Sequence, residues 1–347
     1  METVKKQCLL VTGSSGYIGS NLITIFKSLP EYEDLLIIGL DKVPGVHTHA
    51  ICDMTDKHEL FQAFELNPPD YIIHLAALIQ VGESQLEPDK YWHHNFVATL
   101  NLLDVIRITN PDIKLVFMSS AAVYQTPERP LLAGIPVQVK PSFWKLSVQT
   151  SRLEPSSVYG QTKLACERAI QSYCSAYGMQ SVILRLFNVG GGTRDPNKTF
   201  HLIPIALKCL KEDRTFQIFG NDYDTEDGTC VRDYIHVKDV SMMCAKAINL
   251  LTKPWTNRML PKSDPITTGC YIFNAGKGRG YSVLEVLTKI EKITGLKITT
   301  KVVVRRSGDP DILVASRNIC DSPSIGGPQC DLKAIIEDEW NSLNSVE

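Results

Sequence analysis

Short apolar runs alternate with longer amphipathic stretches through the first half of the chain. The runs are Cys8–Val11, Leu35–Leu40, Tyr71–Leu75, Leu115–Met118 and Val182–Leu186. Between them, Ile18–Leu29, Leu60–Phe64, Asn95–Ile108 and Thr162–Tyr177 place apolar residues at helical spacing. Runs that are continuous rather than alternating mark strands buried on both faces, and their alternation with helices predicts an α/β fold on a doubly wound parallel sheet. From about residue 190 the pattern changes, with Gly190-Gly191-Gly192 followed by longer polar loops and shorter elements. The expected organisation is a first domain over 1–189 and a smaller α/β domain over 190–347. Ligands in such folds bind outside the carboxyl ends of the strands, so loops of the second domain should cover the mouth of the sheet. The proline-rich stretch 125–155 lacks periodicity and reads as a long surface loop inserted in the first domain.

Composition narrows the function. A length of 347 residues exceeds what one core usually serves, in keeping with two domains. A net charge of −2 provides no basic field for nucleic acid and no polybasic patch for an acidic membrane. No apolar run is long enough to span a bilayer. Cys8–Val11 is too short for a signal-peptide core, so a cytoplasmic location is expected. The ten cysteines are scattered without a Cys-x-x-Cys pair, which reads as reduced thiols in apolar surroundings. His47, His49, His93 and His94 lack companion ligands at metal-site spacing, and no metal is expected.

The first candidate site is Leu9-Leu10-Val11-Thr12-Gly13-Ser14-Ser15-Gly16-Tyr17-Ile18-Gly19, a strand entering a glycine-rich turn and then a helix. Gly13 permits the tight turn, Gly16 admits a pyrophosphate close to the backbone, and Gly19 lets the helix lie against the strand. The amides of Tyr17 and Ile18 would face the anion at the positive end of the helix dipole. Asp41 ends the next apolar run, where a carboxylate accepts bonds from the adenosine ribose and repels a 2′-phosphate; it predicts NAD rather than NADP. Asp53 and Met54 follow the next short strand and are placed to meet adenine. Together these features predict a Rossmann-type dinucleotide site.

The second is Tyr159-Gly160-Gln161-Thr162-Lys163, which puts a phenol and an ammonium on one helical face. A nearby ammonium and a cationic nicotinamide would favour the phenolate, giving a base usable at neutral pH. Leu115-Val116-Phe117-Met118-Ser119-Ser120 ends a strand at the same sheet edge, where Ser120 can hydrogen-bond a reacting hydroxyl.

The Gly-x-x-Gly-x-x-Gly spacing resembles the extended short-chain dehydrogenase/reductase superfamily. Within it, the run Ile218-Phe219-Gly220-Asn221-Asp222-Tyr223-Asp224-Thr225-Glu226-Asp227-Gly228-Thr229-Cys230-Val231-Arg232-Asp233-Tyr234-Ile235-His236-Val237 resembles the UDP-glucose 4-epimerases. Val81-Gly82-Glu83-Ser84, Arg185-Leu186-Phe187-Asn188, Arg305-Arg306-Ser307-Gly308-Asp309 and Ile335-Ile336-Glu337-Asp338 extend the likeness over nearly the whole chain. The resemblance implies reversible C4 epimerisation of UDP-glucose and UDP-galactose through a transient 4-keto sugar and bound NADH. It implies Tyr159 as base, Lys163 as its partner on the nicotinamide ribose, and Ser120 as aid to proton transfer. Ala76, Asn95 and Ser119 would stand beside NAD. Asn188, Arg232, Arg306 and Asp309 would hold the UDP portion, with Leu202 and Phe219 at the uracil and Leu313 bounding the sugar. A homodimer paired through Asn95–Ile108 and Thr162–Tyr177 is also implied. The chain differs from the resembling pattern at Ile79, at Ala122, in the short Asp41–Asp53 loop and at Gly190-Gly191-Gly192.

Three other readings remain open. A UDP-N-acetylhexosamine 4-epimerase would share these motifs. A 4,6-dehydratase or decarboxylase of the superfamily would carry an acid just after Ser120, where Ala121-Ala122-Val123-Tyr124 has none. A non-catalytic NAD-binding protein would have no use for the Tyr-Lys pair.

Overall fold

The computed structural model describes residues 6–125, 131–132, 135–136, 145–148, 151–193, 201–252, 269–306, 309–316 and 325–345. Much of the expected 125–155 loop, with Ser307, Gly308 and Cys320, lies outside them. In chain order the first half runs β1 (Cys8–Thr12), α1 (Tyr17–Ser28), β2 (Leu36–Asp41), β3 (Ala50–Ile51), α2 (Lys57–Leu66), β4 (Tyr71–His74), α3 (Val81–Leu86), α4 (Pro88–Tyr91), α5 (Ala98–Thr109) and β5 (Lys114–Ser120). Three two-residue strands follow, β6 (Leu131–Leu132), β7 (Ile135–Pro136) and β8 (Lys145–Leu146), and then α6 (Val158–Tyr177) and β9 (Gln180–Leu186). The second half continues with β10 (Asn188–Gly190), α7 (Leu202–Lys211), β11 (Phe216–Phe219), β12 (Val231–His236), α8 (Val237–Thr252) and β13 (Cys270–Ala275). It closes with β14 (Gly280–Ser282), α9 (Val283–Thr294), β15 (Thr300–Val303), β16 (Ile312–Ala315) and α10 (Leu332–Asn344).

Every expected apolar run is a strand of one seven-stranded sheet, ordered β13-β9-β5-β4-β1-β2-β3 and parallel throughout. Alternate residues of each strand feed opposite faces. Leu9, Val11, Val116 and Met118 pack with α1 and α8, whereas Leu10, Ile72, Leu115 and Phe117 pack with α2, α5 and α6. This double burial is why the strands lack a polar face. The order reverses between β1 and β4, which leaves a crevice at their carboxyl ends.

The second layer is a smaller sheet, β10-β12-β16-β8, with β14 antiparallel to β12 and a separate parallel pair β11-β15. Its core gathers Ile203, Leu207, Ile218, Tyr234, Val286, Ile290, Ile335 and Ile336 from α7, α9, α10 and their strands. The linear boundary at 189/190 is crossed in both directions, and β8 from the first part joins the smaller sheet beside β16. After β12 the chain returns α8 to the face of the first sheet and β13 to its edge, where Cys270–Ala275 pair with β9. Apolar α8 residues and β13 supply burial that the first 189 residues leave open, so the first domain is completed from the second half of the chain.

One correction concerns the helix expected from Asn95. The chain forms a π-helical turn over Trp92–Val97 before α5 begins at Ala98. Such turns displace side chains from the regular helical stripe and are common at functional sites.

Helix α1 lies close against the glycine turn that follows β1. A Cβ on Gly19 would stand 2.2 Å from the Gly13 carbonyl oxygen, which belongs to the backbone and cannot step aside. Gly19→Ala should therefore push α1 off the turn, costing ~1–3 kcal/mol of stability in urea unfolding and weakening dinucleotide binding.

Candidate active site

The glycine turn makes its own anion site. Gly13 has φ +74°, and a Cβ there would lie 2.7 Å from the Ala76 amide nitrogen. The helix begins directly after Gly16, and no side chain caps it. An anion at this end, where Tyr17 and Ile18 are expected to meet one, would lie at the positive end of the helix dipole. Asp41 accepts the Ser15 amide at 2.9 Å and the Val43 amide at 3.2 Å, which orients its carboxylate and leaves acceptor capacity for hydroxyls. A cleft of about 270 Å³ lies across this edge, lined by Gly13, Gly16, Asp41, Asp53, Met54 and Ala76. The sequence reading missed Lys42, Thr55, Leu78 and His94 on its wall. Lys42, Thr55 and Leu78 sit on loops without periodicity, and His94 faces the cleft because of the π turn.

The short loop after Asp41 is fastened to the glycine turn. Thr48 Oγ1 lies 2.6 Å from Ser15 Oγ and 3.1 Å from Ser14 Oγ, and Ser15 Oγ donates to the Val43 carbonyl at 2.9 Å. Side chains of the turn itself thereby hold the loop that borders the cleft.

Asn95 is buried and points at backbone. Its Oδ1 accepts the Leu78 amide at 2.8 Å, while Nδ2 donates to the Leu78 carbonyl at 3.0 Å and Thr162 Oγ1 at 3.2 Å. It fixes the loop after β4, with Ala76 and Leu78, to α6. Beneath that loop His74 is enclosed between Thr12 and Thr99. Thr12 Oγ1 accepts the Leu75 and Ala76 amides at 3.2 Å, so its proton points to His74 Nδ1 at 2.7 Å. Thr99 Oγ1 donates to the Asn95 carbonyl at 2.7 Å, so it must accept from His74 Nε2 at 3.0 Å. Two neighbours therefore fix a neutral Nε2–H tautomer.

The Tyr-Lys pair sits at the start of α6, whose first amides are capped largely from elsewhere. Ser84 Oγ accepts the Tyr159 amide at 3.1 Å, Gln85 Oε1 the Val158 amide at 3.2 Å and Ser157 Oγ the Gly160 amide at 3.1 Å. Ser84 and Gln85 belong to α3, which explains the Val81–Ser84 motif: it anchors the helix that carries the phenol. Burial pushes the Tyr159 phenol up, and the neighbouring Ser120 hydroxyl works against that. Lys163 Nζ donates to the Met118 carbonyl at 2.8 Å and lies 4.8 Å over the Phe117 ring. The expected direct action of Lys163 on Tyr159 is not what this geometry presents; its hydrogen bond goes to Met118. Ser119, expected beside the cofactor, gives its hydroxyl to Glu167 at 2.5 Å and faces inward.

A second group of polar and aromatic residues lies on the smaller layer. Arg232 pairs with Asp309 at 2.5 Å, and Leu313 lies beside Arg232 in the β12–β16 register. Arg306 stacks over Phe219 with its guanidinium carbon 4.0 Å from the ring centre. Arg305, absent from the sequence assignment, stacks at 3.9 Å over Tyr223, which donates to Asp309 at 3.2 Å. Its Arg-Arg neighbourhood was the available signal. Asn188 opens β10 opposite Tyr234 of β12, and Leu202 opens α7 against the smaller core. Among the described residues no cluster of His, Cys, Asp or Glu is arranged to hold a metal, and no helix is long and apolar enough to cross a membrane.

A doubly wound sheet with an uncapped glycine turn, a carboxylate at the end of β2 and a buried Tyr-Lys pair defines a dinucleotide-dependent enzyme. Residues 9–257 match the NAD dependent epimerase/dehydratase family, and the chain belongs to it. It is 35% identical to a UDP-glucose 4-epimerase of Halalkalibacterium halodurans over 96% of this chain and 94% of that one. The structure is similar to that of a UDP-glucose 4-epimerase from Brucella ovis in complex with NAD, with a TM-score of 0.77, 30% identity and coverage of 96% and 98%. It is also similar to the Bifidobacterium longum UDP-glucose 4-epimerase in complex with NAD+ and UDP, with a TM-score of 0.79, 25% identity and coverage of 98% and 99%. The cofactor is NAD, and the cleft fits it: glycine backbone for the pyrophosphate, an oriented carboxylate for the ribose, and an apolar end at Met54.

The His74 assignment is open to direct test. Burial, with Lys163 nearby, pushes its pKa down to about 3. Long-range 15N–1H spectra should show an Nε2–H imidazole for His74 unchanged from pH 8 to pH 5. Because the unfolded chain takes up this proton below about pH 6.5, stability should fall there by up to ~1.4 kcal/mol per pH unit on this account.

Proposed function

We propose that this protein is an NAD-dependent UDP-glucose 4-epimerase, an isomerase that interconverts UDP-glucose and UDP-galactose at C4. The observation that carries the reading is the pairing of the Tyr159 phenol with the neighbouring Ser120 at the end of β5, next to a second layer whose Leu313, register partner of Arg232, packs against Ala121 and Tyr124 just after Ser120. Tyr159 takes the proton of the sugar 4-hydroxyl, and Ser120 bridges the two oxygens. Bound NAD supplies a hydride acceptor and a positive charge that lowers the phenol. Lys163, anchored on Met118, contributes a second positive charge beneath the nicotinamide ribose. Arg232 and Arg306 grip the diphosphate, for which guanidinium forks are suited. Phe219, with Leu202, faces the uracil; Asn188 and Asp309 complete the UDP site.

Release and re-entry of the hydride on opposite sugar faces requires a pocket in which the sugar can turn. Leu313 bounds that pocket with intermediate bulk. The absence of a carboxylate after Ser120 argues against dehydration, which needs an acid to expel water.

A homodimer is part of this reading, supported by exposed apolar residues on the first domain. Leu86, Trp92, Ile108 and Tyr177 stand exposed on α3, the π turn, α5 and α6, where a partner's α5 and α6 would cover them. Nine free cysteines among the described residues, mostly buried, suit the cytoplasm.

Purified protein without added NAD should convert UDP-galactose to UDP-glucose, and Tyr159→Phe should keep NAD while losing at least about a hundredfold in kcat. Near-normal turnover by that variant would sink the assignment of the base. On the sugar pocket, Leu313 predicts a kcat/KM for UDP-N-acetylglucosamine at least about tenfold below that for UDP-glucose, and Leu313→Ala should narrow the gap; equal values in the unaltered protein would contradict the role of Leu313.

A further inference from the structure

Below the reaction centre lies a buried charge cluster that the proposed chemistry does not use. Tyr159, Lys163 and Glu167 are spaced four residues apart on α6 and share a face. Each meets a different one of the last three residues of β5. Ser120 lies beside Tyr159, the Met118 carbonyl accepts from Lys163 at 2.8 Å, and Ser119 Oγ donates to Glu167 Oε1 at 2.5 Å. Behind Glu167, Arg185 of β9 donates from Nε to Oε1 at 2.9 Å and from Nη2 to Oε2 at 2.6 Å. Both side chains of this ion pair are 1% exposed. The guanidinium lies 4.8 Å over the Tyr124 ring, and Tyr124 in turn donates to Asn274 of β13 at 2.6 Å.

An ion pair sealed this completely is a poor source of stability. The desolvation of both groups offsets their attraction, and apolar replacements of equal volume are often as stable. What the pair provides is geometry, since both carboxylate oxygens are matched to donors from two different strands. We propose that Glu167 and Arg185 are positioning residues for the epimerase reaction: through Ser119 they lock the carboxyl end of β5 against α6, set the Ser120–Tyr159 contact, and place a negative charge one turn from Lys163. The inference rests on the reading of Ser120 and Tyr159 as the reaction centre.

The charge has a visible target. Burial pulls the Lys163 ammonium down to about 8, and Cys166 and Glu167 oppose that pull. The other titratable or charged groups facing this pair are Tyr159 on α6, His74 from β4, Tyr124 after β5, Arg185 from β9 and Cys270 from β13. Burial raises the Cys166 thiol, which stays protonated at neutral pH, His74 is held neutral and Arg185 is positive, so Glu167 is the anion that favours the charged form of Lys163 there. Replacing Glu167 by Gln would leave Arg185 unopposed and favour loss of the Lys163 proton.

The test compares kcat, KM and pH profiles of UDP-galactose epimerisation for the wild type, Glu167→Gln, Glu167→Asp, Glu167→Gln/Arg185→Gln and Ser119→Ala. Wild-type turnover alone tests the underlying reading, so its failure is distinct from failure of this inference. Expected are a kcat loss of about 10–100-fold in Glu167→Gln with KM within about twofold, and an alkaline limb shifted to lower pH. Glu167→Asp should keep the wild-type limb, and the double variant should recover part of the shift. A readout without substrate is the phenol titration at 295 nm, taken as the difference from Tyr159→Phe, which should move in Glu167→Gln while NAD content stays constant. Ser119→Ala removes only the hydroxyl link and carries the test should Glu167→Gln not fold; its kcat should fall about 3–10-fold at constant KM. Wild-type kcat and pH profile in Glu167→Gln, wild-type kcat in Ser119→Ala, or activity lost only in proportion to folded protein with the pH limb and phenol titration unmoved, would each overturn the proposal.

Discussion

The chemistry of this molecule depends on one seam, where α6 lies across the carboxyl end of β5. A tyrosine hydroxyl and a serine hydroxyl can share a proton only if strand and helix keep their spacing to within a fraction of an ångström. Apolar packing alone leaves a helix free to slide or roll slightly on a sheet. Here polar contacts remove that freedom at successive points. The amino end of α6 is gripped by α3 through Ser84 and Gln85, and its first three turns are stitched to Met118, Ser119 and Ser120. Asn95 adds a clamp from the π turn to the loop that borders the cofactor cleft. The reaction centre is thus built on regular elements.

Much of this was legible in the sequence, and the part that was legible is local. The glycine spacing, the Asp41 position and the Tyr-Lys pair each declare themselves within a few residues, because the turn, the strand end and the helix face are short-range geometry. Five strands showed as apolar runs because both of their faces are buried. What stayed hidden acts over long separations. Ser84 capping Tyr159, Asn95 reaching Leu78 and Thr162, and β13 joining β9 across the intervening domain have no periodic signature. The π turn also escaped, since its apolar pattern reads as ordinary helix. Lys163 was recognised by its spacing, yet its partner, the Met118 carbonyl, could only be seen in the fold.

The substrate layer uses a different device. Its cationic groups are held in place before any ligand arrives, Arg232 by Asp309, Arg305 by Asp311 and Tyr223, and Arg306 on Phe219. An arginine restrained in this way loses little side-chain freedom on binding, which lowers the entropic cost of capture. Asp309 serves both as counter-ion and as expected nucleotide ligand, so its hydrogen bonds must be shared rather than exchanged. Leu313 belongs to the same strand pairing as Arg232, which ties the proposed sugar boundary to the proposed diphosphate ligand.

The return of β13 to the first sheet has a consequence for how the protein is made. Once β9 has left the ribosome, its outer edge has no neighbour, because the strand that covers it ends at Ala275. At about 5–20 residues per second, the stretch from Leu186 to Ala275 takes roughly 5–18 s to emerge. Throughout that interval an apolar strand edge stands open to pairing with another nascent chain. The apolar face that α8 later covers is exposed for much of the same time. Synthesis of the cofactor domain is therefore tied to that of the substrate domain, and neither can be shed or exchanged as a module without leaving the other unfinished.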